Sequence, residues 1–251
     1  MQTFIYRKER LMIPERNSRT VMLIGEDAFL KLKSARVAVF GLGGVGGHAL
    51  DALVRAGVGE VDIFDSDTVS ESNINRQIIA TYDTLGKFKT KAFFDRIKSI
   101  NPECRVNLHT VFVTPELVAD LPFSSYTYII DAIDTVTAKL AIIERANDLG
   151  INIISSMGTG NKLDPKKLTV TDIYKTSVCP LARVMRSELR RRGVKSLKVL
   201  YSEEEPIKPD YSGISLDEGA KKLPPASIST VPSTAGLIIA SEVISDIISA
   251  D

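Results

Sequence analysis

The segment Val37-Ala-Val-Phe-Gly-Leu-Gly-Gly-Val-Gly-Gly47 constrains the fold more than any other stretch of this chain. An apolar run opens into Gly41-x-Gly43-x-x-Gly46, the pattern of a buried strand turning into a helix whose first backbone N–H groups and dipole suit a phosphate. Gly41 permits the tight turn, Gly43 lets backbone approach a phosphate, and Gly46 lets the helix pack closely on the strand. The plainer alternative is that these glycines serve helix–strand packing alone. About 20 residues on, where a ribose-holding carboxylate usually sits, a second apolar run ends in Asp65-Ser66-Asp67. Asp65, first after the run, is the preferred ribose acceptor, Asp67 the second; the plainer alternative, stronger for Asp67, is that both cap a turn. On these features alone a dinucleotide enzyme is the first reading.

Apolar runs and amphipathic stretches alternate along the chain, the signature of crossover βαβ units. Strands are expected near Arg36–Phe40, Val61–Phe64, Arg105–Thr110, Thr127–Asp131 and Ile151–Ser156, with two more near Leu168–Ile173 and Leu197–Tyr201. Helices are expected near Gly44–Arg55, Lys87–Ile100, Val136–Leu149 and Leu181–Arg191, and one over Ser18–Leu32 before the first strand. Asn101-Pro102 stops the helix ending near Ile100, because proline disfavours helical geometry in the residue before it. The fold class is therefore α/β: a Rossmann-like doubly wound, mainly parallel sheet with an N-terminal helix and an elaborated C-terminal third. Residues 1–251 read as one domain, with a long loop over Ser202–Thr230 and a C-terminal helix near 236–249. That last stretch is apolar but broken by Glu242 and Asp246 and is too short to span a bilayer, so it is expected to pack on the sheet or on a second subunit. The N-terminus, with Arg7, Lys8 and Arg10, does not read as a secretory signal.

Arg76, in Asn73-Ile-Asn-Arg76-Gln77, and Lys89, in Gly86-Lys-Phe-Lys89, move the reading from dinucleotide to triphosphate. A guanidinium forks onto phosphate oxygens and an ammonium acts as a point charge. Two such cations beside a glycine loop suit the charge that builds on departing pyrophosphate, which a nicotinamide enzyme does not need. Asp131-Ala-Ile-Asp134 closes the fourth strand, at the sheet edge where open α/β proteins bind ligands. Asp134 is placed to hold magnesium against nucleotide phosphates, or to cap the helix near Val136; Asp131 reads as structural. His48 reads as packed or hydrogen-bonded, and His109 and Cys104 are given no role.

These motifs resemble the adenylating core of ubiquitin-activating-type enzymes. Arg16-Asn-Ser-Arg19 is similar to that superfamily's N-terminal signature, which implies a homodimer with Arg19 supplied in trans to the partner's ATP site. Asn101-Pro-Glu-Cys104, Ser155-Ser-Met-Gly-Thr-Gly-Asn-Lys-Leu-Asp-Pro165, Asp172-Ile-Tyr-Lys-Thr176 and Val231-Pro-Ser-Thr-Ala-Gly236 resemble one branch, the tRNA threonylcarbamoyladenosine dehydratases. The resemblance implies ATP and Mg2+, with Arg76, Lys89, Asp134 and Arg19 catalytic. It implies nucleotide contacts from Gly41, Gly43, Gly44, Gly46, Asp65, Asp67, Asn73 and Gln77. It also implies a tRNA anticodon arm as substrate and leaves a sulfur-transfer protein open as a partner. Zinc is not expected, because the paired Cys-x-x-Cys motifs of the carrier-protein activators are missing.

Two cysteines, Cys104 and Cys179, are too few for a disulfide scaffold and fit a reducing cytoplasm. Cys179 is the one residue loosely placed for a thioester, and reads first as a packing residue. A net charge of +1 gives no global argument for nucleic acid, so any RNA surface is local. The run Arg183, Arg186, Arg190, Arg191, Arg192, Lys195 and Lys198, opposed mainly by Glu188, is the best candidate, with Lys162, Lys166 and Lys167 weaker ones. Tyr174, Tyr201 and Tyr211 are possible stacking platforms. The rival readings are an activator of a small ubiquitin-like sulfur-carrier protein, a nucleotide-sensing scaffold and a nicotinamide oxidoreductase.

Overall fold

The computed structural model describes residues 13–213 and 223–250; Arg7, Lys8, Arg10 and the middle of the long loop lie outside them. Seven strands form one sheet: β1 (Arg36–Phe40), β2 (Glu60–Phe64), β3 (Arg105–His109), β4 (Tyr128–Asp131), β5 (Ile153–Ser156), β6 (Leu168–Asp172) and β7 (Lys198–Ser202). Their order is β3-β2-β1-β4-β5-β7-β6, and every neighbouring pair is parallel except β6 with β7. The helices are α1 (Ser18–Ile24), α2 (Glu26–Ser34), α3 (Gly46–Ala56), α4 (Lys89–Ile100), α5 (Pro115–Asp120), α6 (Val136–Leu149), α7 (Pro180–Arg191) and α8 (Thr230–Ser249).

Successive strand residues point to opposite faces, and the packing follows that period. Val37, Val39, Val61, Ile63 and Ile130 share a core with Leu50, Leu53, Phe93, Ile239 and Val243, so α3, α4 and α8 cover this face. Ala38, Phe40, Phe64 and Ile129 meet Val118, Phe123, Ala138 and Ile142 on the other, where α5 and α6 lie. A third core joins α6 and α7 to β5 and β7 through Ile143, Met185, Leu189 and Val199. β4 is buried along its whole length, as a central parallel strand covered on both faces must be.

Three expectations need correction. The helix expected over Ser18–Leu32 is two helices, broken at Gly25 (φ 85). α5 was not foreseen, although Pro115 in its first turn and Thr114, whose hydroxyl accepts from Leu117 N–H at 3.3 Å, mark its start. The last helix begins at Thr230, not near 236, because Pro232 sits in the first turn, where a missing N–H costs nothing. By length and composition α8 could cross a bilayer, but Val231, Ala235, Ile239, Val243 and Ile247 are buried in the protein core. Gly236 lets it sit directly on α3: a Cβ there would lie 2.4 Å from the Val45 carbonyl oxygen.

Candidate active site

The chain runs from β1 outward to β2 and β3, then crosses back to place β4 on the other side of β1. At the carboxyl ends of β1 and β4, where the winding reverses, a cleft of about 330 Å³ opens. Among the residues singled out from the sequence, Gly41, Gly43, Gly44, Asp65, Asp67, Asn73, Arg76, Gln77, Lys89 and Asp134 line it. Gly46 lies behind the lining: a Cβ there would be 1.9 Å from the Gly41 carbonyl oxygen, so its role is packing. Gly41 (φ 89) makes the turn, and a Cβ on Gly43 would meet nothing nearer than Gln77 Nε2 at 4.0 Å, leaving that backbone open to a ligand.

Asp65 braces the loop. Its carboxylate accepts from Leu42 N–H and from Asp67 N–H, each at 2.8 Å. Turn-capping is therefore realised, and ribose binding would use the lone pairs left over. Lys89 is brought over the same pair because residues 67–69 run antiparallel to 86–89, with Val69 N–H donating to Lys87 O and Lys89 N–H to Asp67 O. Its Nζ lies 2.7 Å from Asp67 and 3.7 Å from Asp65, so this cation is neutralised by aspartates and is not free over the glycine loop.

Arg76 differs. Its guanidinium donates to Ser72 O at 2.8 Å and Asn75 Oδ1 at 2.9 Å, both uncharged. Burial alone pulls its pKa below the ordinary arginine value. A partly desolvated cation with neutral partners attracts an anion strongly. Asn73 accepts from Ser70 N–H at 3.1 Å and so holds the turn that carries Arg76, while the buried Gln77 Oε1 has no partner, an acceptor left for a ligand donor. Asp134 is exposed on the opposite wall. The cap of α6 falls at Thr135 and makes no side-chain cap bond, so Asp134 is not its cap. Asp131 is buried and paired with Lys139 at 2.7 Å, as its structural reading requires.

A model of the ThiF family matches residues 16–250. The chain belongs to the ThiF family. Over 238 residues it is 39% identical to the tRNA threonylcarbamoyladenosine dehydratase of Bacillus subtilis (strain 168), spanning 92% of this chain and 94% of that one. It is 36% identical to the Escherichia coli (strain K12) protein of the same name over 226 residues, 85% of this chain and 84% of that one. The crystal structure of the E. coli dehydratase in complex with AMP superposes with a TM-score of 0.84 at 33% identity, covering 92% of this chain and 93% of that one. The same enzyme in complex with ATP gives 0.82 at 34% identity, with the same coverage.

As a ThiF-family cleft it includes walls that the sequence did not flag. Val111, Phe112 and Val113, in the loop after β3, and Phe64, Ala132, Ile133 and Thr135 add an apolar side suited to a base. The signal was thin: a Val-Phe-Val triplet after a strand, of which Val111 and Phe112 are exposed and Val113 is buried. His48 donates through Nδ1–H to Gly44 O at 2.8 Å, behind the loop as anticipated. Arg19 is exposed on α1, away from the cleft lining of its own chain.

The basic run is less uniform than its sequence. Arg186 is tied to Thr176, Arg190 stacks 5.1 Å from the Tyr174 ring, and Arg191 and Arg192 pair with Glu188. Lys198 pairs with Asp246 at 2.7 Å and Glu242 at 3.3 Å, so these two carboxylates oppose the run in addition to Glu188. Lys162 is buried against Glu204 and Tyr201 is buried, which removes both from a surface role. Cys104 and Cys179 are free and buried.

Proposed function

We propose that the chain is an ATP-dependent tRNA threonylcarbamoyladenosine dehydratase. The observation that carries this reading is the cleft: an open glycine turn at Gly43, a partly desolvated Arg76 whose partners among the described residues are uncharged, and an exposed Asp134 face one cavity. The likeness to named dehydratases over nearly the whole chain supports the substrate.

ATP lies with its phosphates on the Gly41–Gly46 turn and its ribose at Asp65. Mg2+ fits the donor set at Asp134. Among the described residues no three His, Cys, Asp or Glu side chains gather to bind an ion by themselves, and magnesium is ordinarily held by one or two carboxylates plus phosphate oxygens. When bound there it neutralises phosphate charge. The substrate's threonylcarbamoyl carboxylate attacks the α-phosphate; a P–O bond forms and pyrophosphate leaves, giving an acyl-adenylate. Arg76, Lys89 released from Asp67, and Arg19 of a second subunit offset the charge on the leaving group. The ureido group of the same substrate then attacks the acyl carbon and expels AMP, so the net change is loss of water.

Ring closure is intramolecular, with effective molarities on the order of 10⁵ M or more when well oriented, so no enzyme nucleophile is required. The homodimer is supported by α1, which has no buried residue and exposes Met22 and Leu23 beside Arg19. A cytoplasmic location accords with two free thiols and a tRNA substrate. The test is incubation of modified tRNA with the enzyme, ATP and Mg2+, followed by nucleoside mass spectrometry. A product one water lighter, formed with AMP, is expected; AMP without any tRNA change would sink the proposal.

A further inference from the structure

Behind the cleft wall lies a charged group that the reaction does not use. Lys139, Asp131 and Ser155 are all fully buried. The Lys139 ammonium donates to Asp131 Oδ2 at 2.7 Å, to Ser155 Oγ at 3.1 Å and to Ser156 O at 3.0 Å. Those are its three protons, all used. The Ser155 hydroxyl donates in turn to Asp131 Oδ2 at 2.6 Å. Asp131 and Ser155 are register partners on the parallel strands β4 and β5, so the network closes across the ends of both.

Stability does not account for it. Burying an ion pair costs several kcal/mol per ion, and apolar residues of similar volume are often as stable or better. Lys139 also lies in the first turn of α6, its N–H donating to Thr135 O, where the helix dipole opposes a cation. What the network does hold is geometry. Asp131 is followed at once by Ala132–Thr135, the nucleotide wall that carries Asp134. Ser156 is followed by Met157 and the loop to Asn161, on the far side of β4 from the glycine turn. With the nucleotide between β1 and β4, an attacking group on the far side of β4 would meet the α-phosphate across the carboxyl ends of β4 and β5.

We infer that the Lys139–Asp131–Ser155 network fixes the nucleotide wall against the acceptor-side loop, making Lys139 and Ser155 positioning residues for adenylate formation. A misplacement of 1 Å between attacking oxygen and phosphorus costs up to roughly 10²-fold in rate, so a brace at this junction acts on turnover more than on ATP affinity.

The test uses the full-length enzyme, tRNA bearing the threonylcarbamoyl group, and ATP–pyrophosphate exchange. Four variants are compared with wild type for kcat, KM for ATP and thermal midpoint: Ser155→Ala, Ser155→Thr, Lys139→Met and Lys139→Arg. The inference rests on the adenylating reading of the cleft. Wild-type exchange tests that reading; the ratio of variant to wild type tests the network. Ser155→Ala is expected to lower kcat about ten-fold per folded molecule while KM for ATP stays within about two-fold, and Ser155→Thr, which restores the hydroxyl, to recover most of it. Lys139→Met is expected to lose more than Lys139→Arg. Should Lys139→Met fail to fold, Ser155→Ala decides alone. Wild-type kcat in folded Ser155→Ala, or a loss that Ser155→Thr repeats in full, overturns the inference.

Discussion

Two glycines three residues apart should fail in opposite ways when each is replaced by alanine. At Gly46 the new methyl carbon would lie 1.9 Å from the Gly41 carbonyl oxygen and 3.1 Å from Ala132 Cβ. Both neighbours are fixed in the fold, so the turn and the helix must separate by more than 1 Å to restore an ordinary contact of ~3.2 Å. A backbone overlap this deep belongs at the upper end of overpacking costs, about 3 kcal/mol, and the gain in helix propensity from Gly to Ala returns ~1 kcal/mol at most, leaving a net loss of about 2 kcal/mol. At roughly 2–4 °C per kcal/mol for a chain of this size, Gly46→Ala should melt several degrees below wild type. At Gly43 the methyl meets only Gln77 Nε2, at 4.0 Å, and the backbone is not left-handed there. Gly43→Ala should therefore melt within ~1 °C of wild type, yet place a methyl where phosphate must touch backbone and weaken ATP binding by ten-fold or more, ~1.4 kcal/mol. Differential scanning fluorimetry and calorimetric titration with ATP give both numbers. Undiminished ATP affinity in Gly43→Ala, or an unshifted melt in Gly46→Ala, refutes the division of labour between the two positions.

Asp134→Ala and Arg19→Ala should each abolish turnover without lowering the melting point, since both side chains are exposed; mixing the two proteins should restore activity through mixed dimers with one intact site, and no recovery on mixing rules out an arginine in trans. Asp62 is buried, and although desolvation opposes it, bonds from His109, Arg36 and Asn107 bring its pKa down to about 2 from 3.8. Its stabilisation is thus complete above the ordinary carboxylate range and disappears as pH falls through about 2. Asp62→Asn should lose roughly 2 kcal/mol at neutral pH, with the gap to wild type closing between about pH 4 and 2 in denaturant titrations. Cys179→Ala should retain turnover within about two-fold, because an intramolecular ring closure needs no thioester. Cys104, whose thiol burial pushes up to about 11, should resist alkylation in the native protein.

The strands, and the glycine turn between β1 and α3, were legible because apolar periodicity and backbone chemistry are local properties. So was the set of polar residues that reach the cleft, each carried by a compact motif after a strand. Val111, Phe112 and Val113 were not, since a hydrophobic wall for a base has no fixed spacing and becomes a wall only when β3 is laid beside β2. The basic run misled for the same reason: Lys198 meets Asp246 and Glu242 across 44 or more positions of sequence. Lys139 gave no hint of being buried. Its acceptors, Asp131 and Ser155, belong to two neighbouring strands, and helical spacing alone makes it a surface lysine. Lys89 was assigned to phosphate from its motif and its resemblance to the family; that its resting partner is Asp67 follows from the backbone pairing of residues 67–69 with 86–89, which has no local signature.

The docking of α8 against α3 through Gly236 has a bearing on how the cleft comes into being. Every recognisable nucleotide motif is complete by Asp134, yet the rear support of the glycine turn is supplied by α8, about a hundred residues further on. A chain cut before Thr230 would carry all its signature residues and still expose Leu50, Leu53 and their neighbours to water. Such a fragment should neither hold nucleotide nor stay monodisperse, so competence for ATP depends on a helix far along the chain from every nucleotide motif.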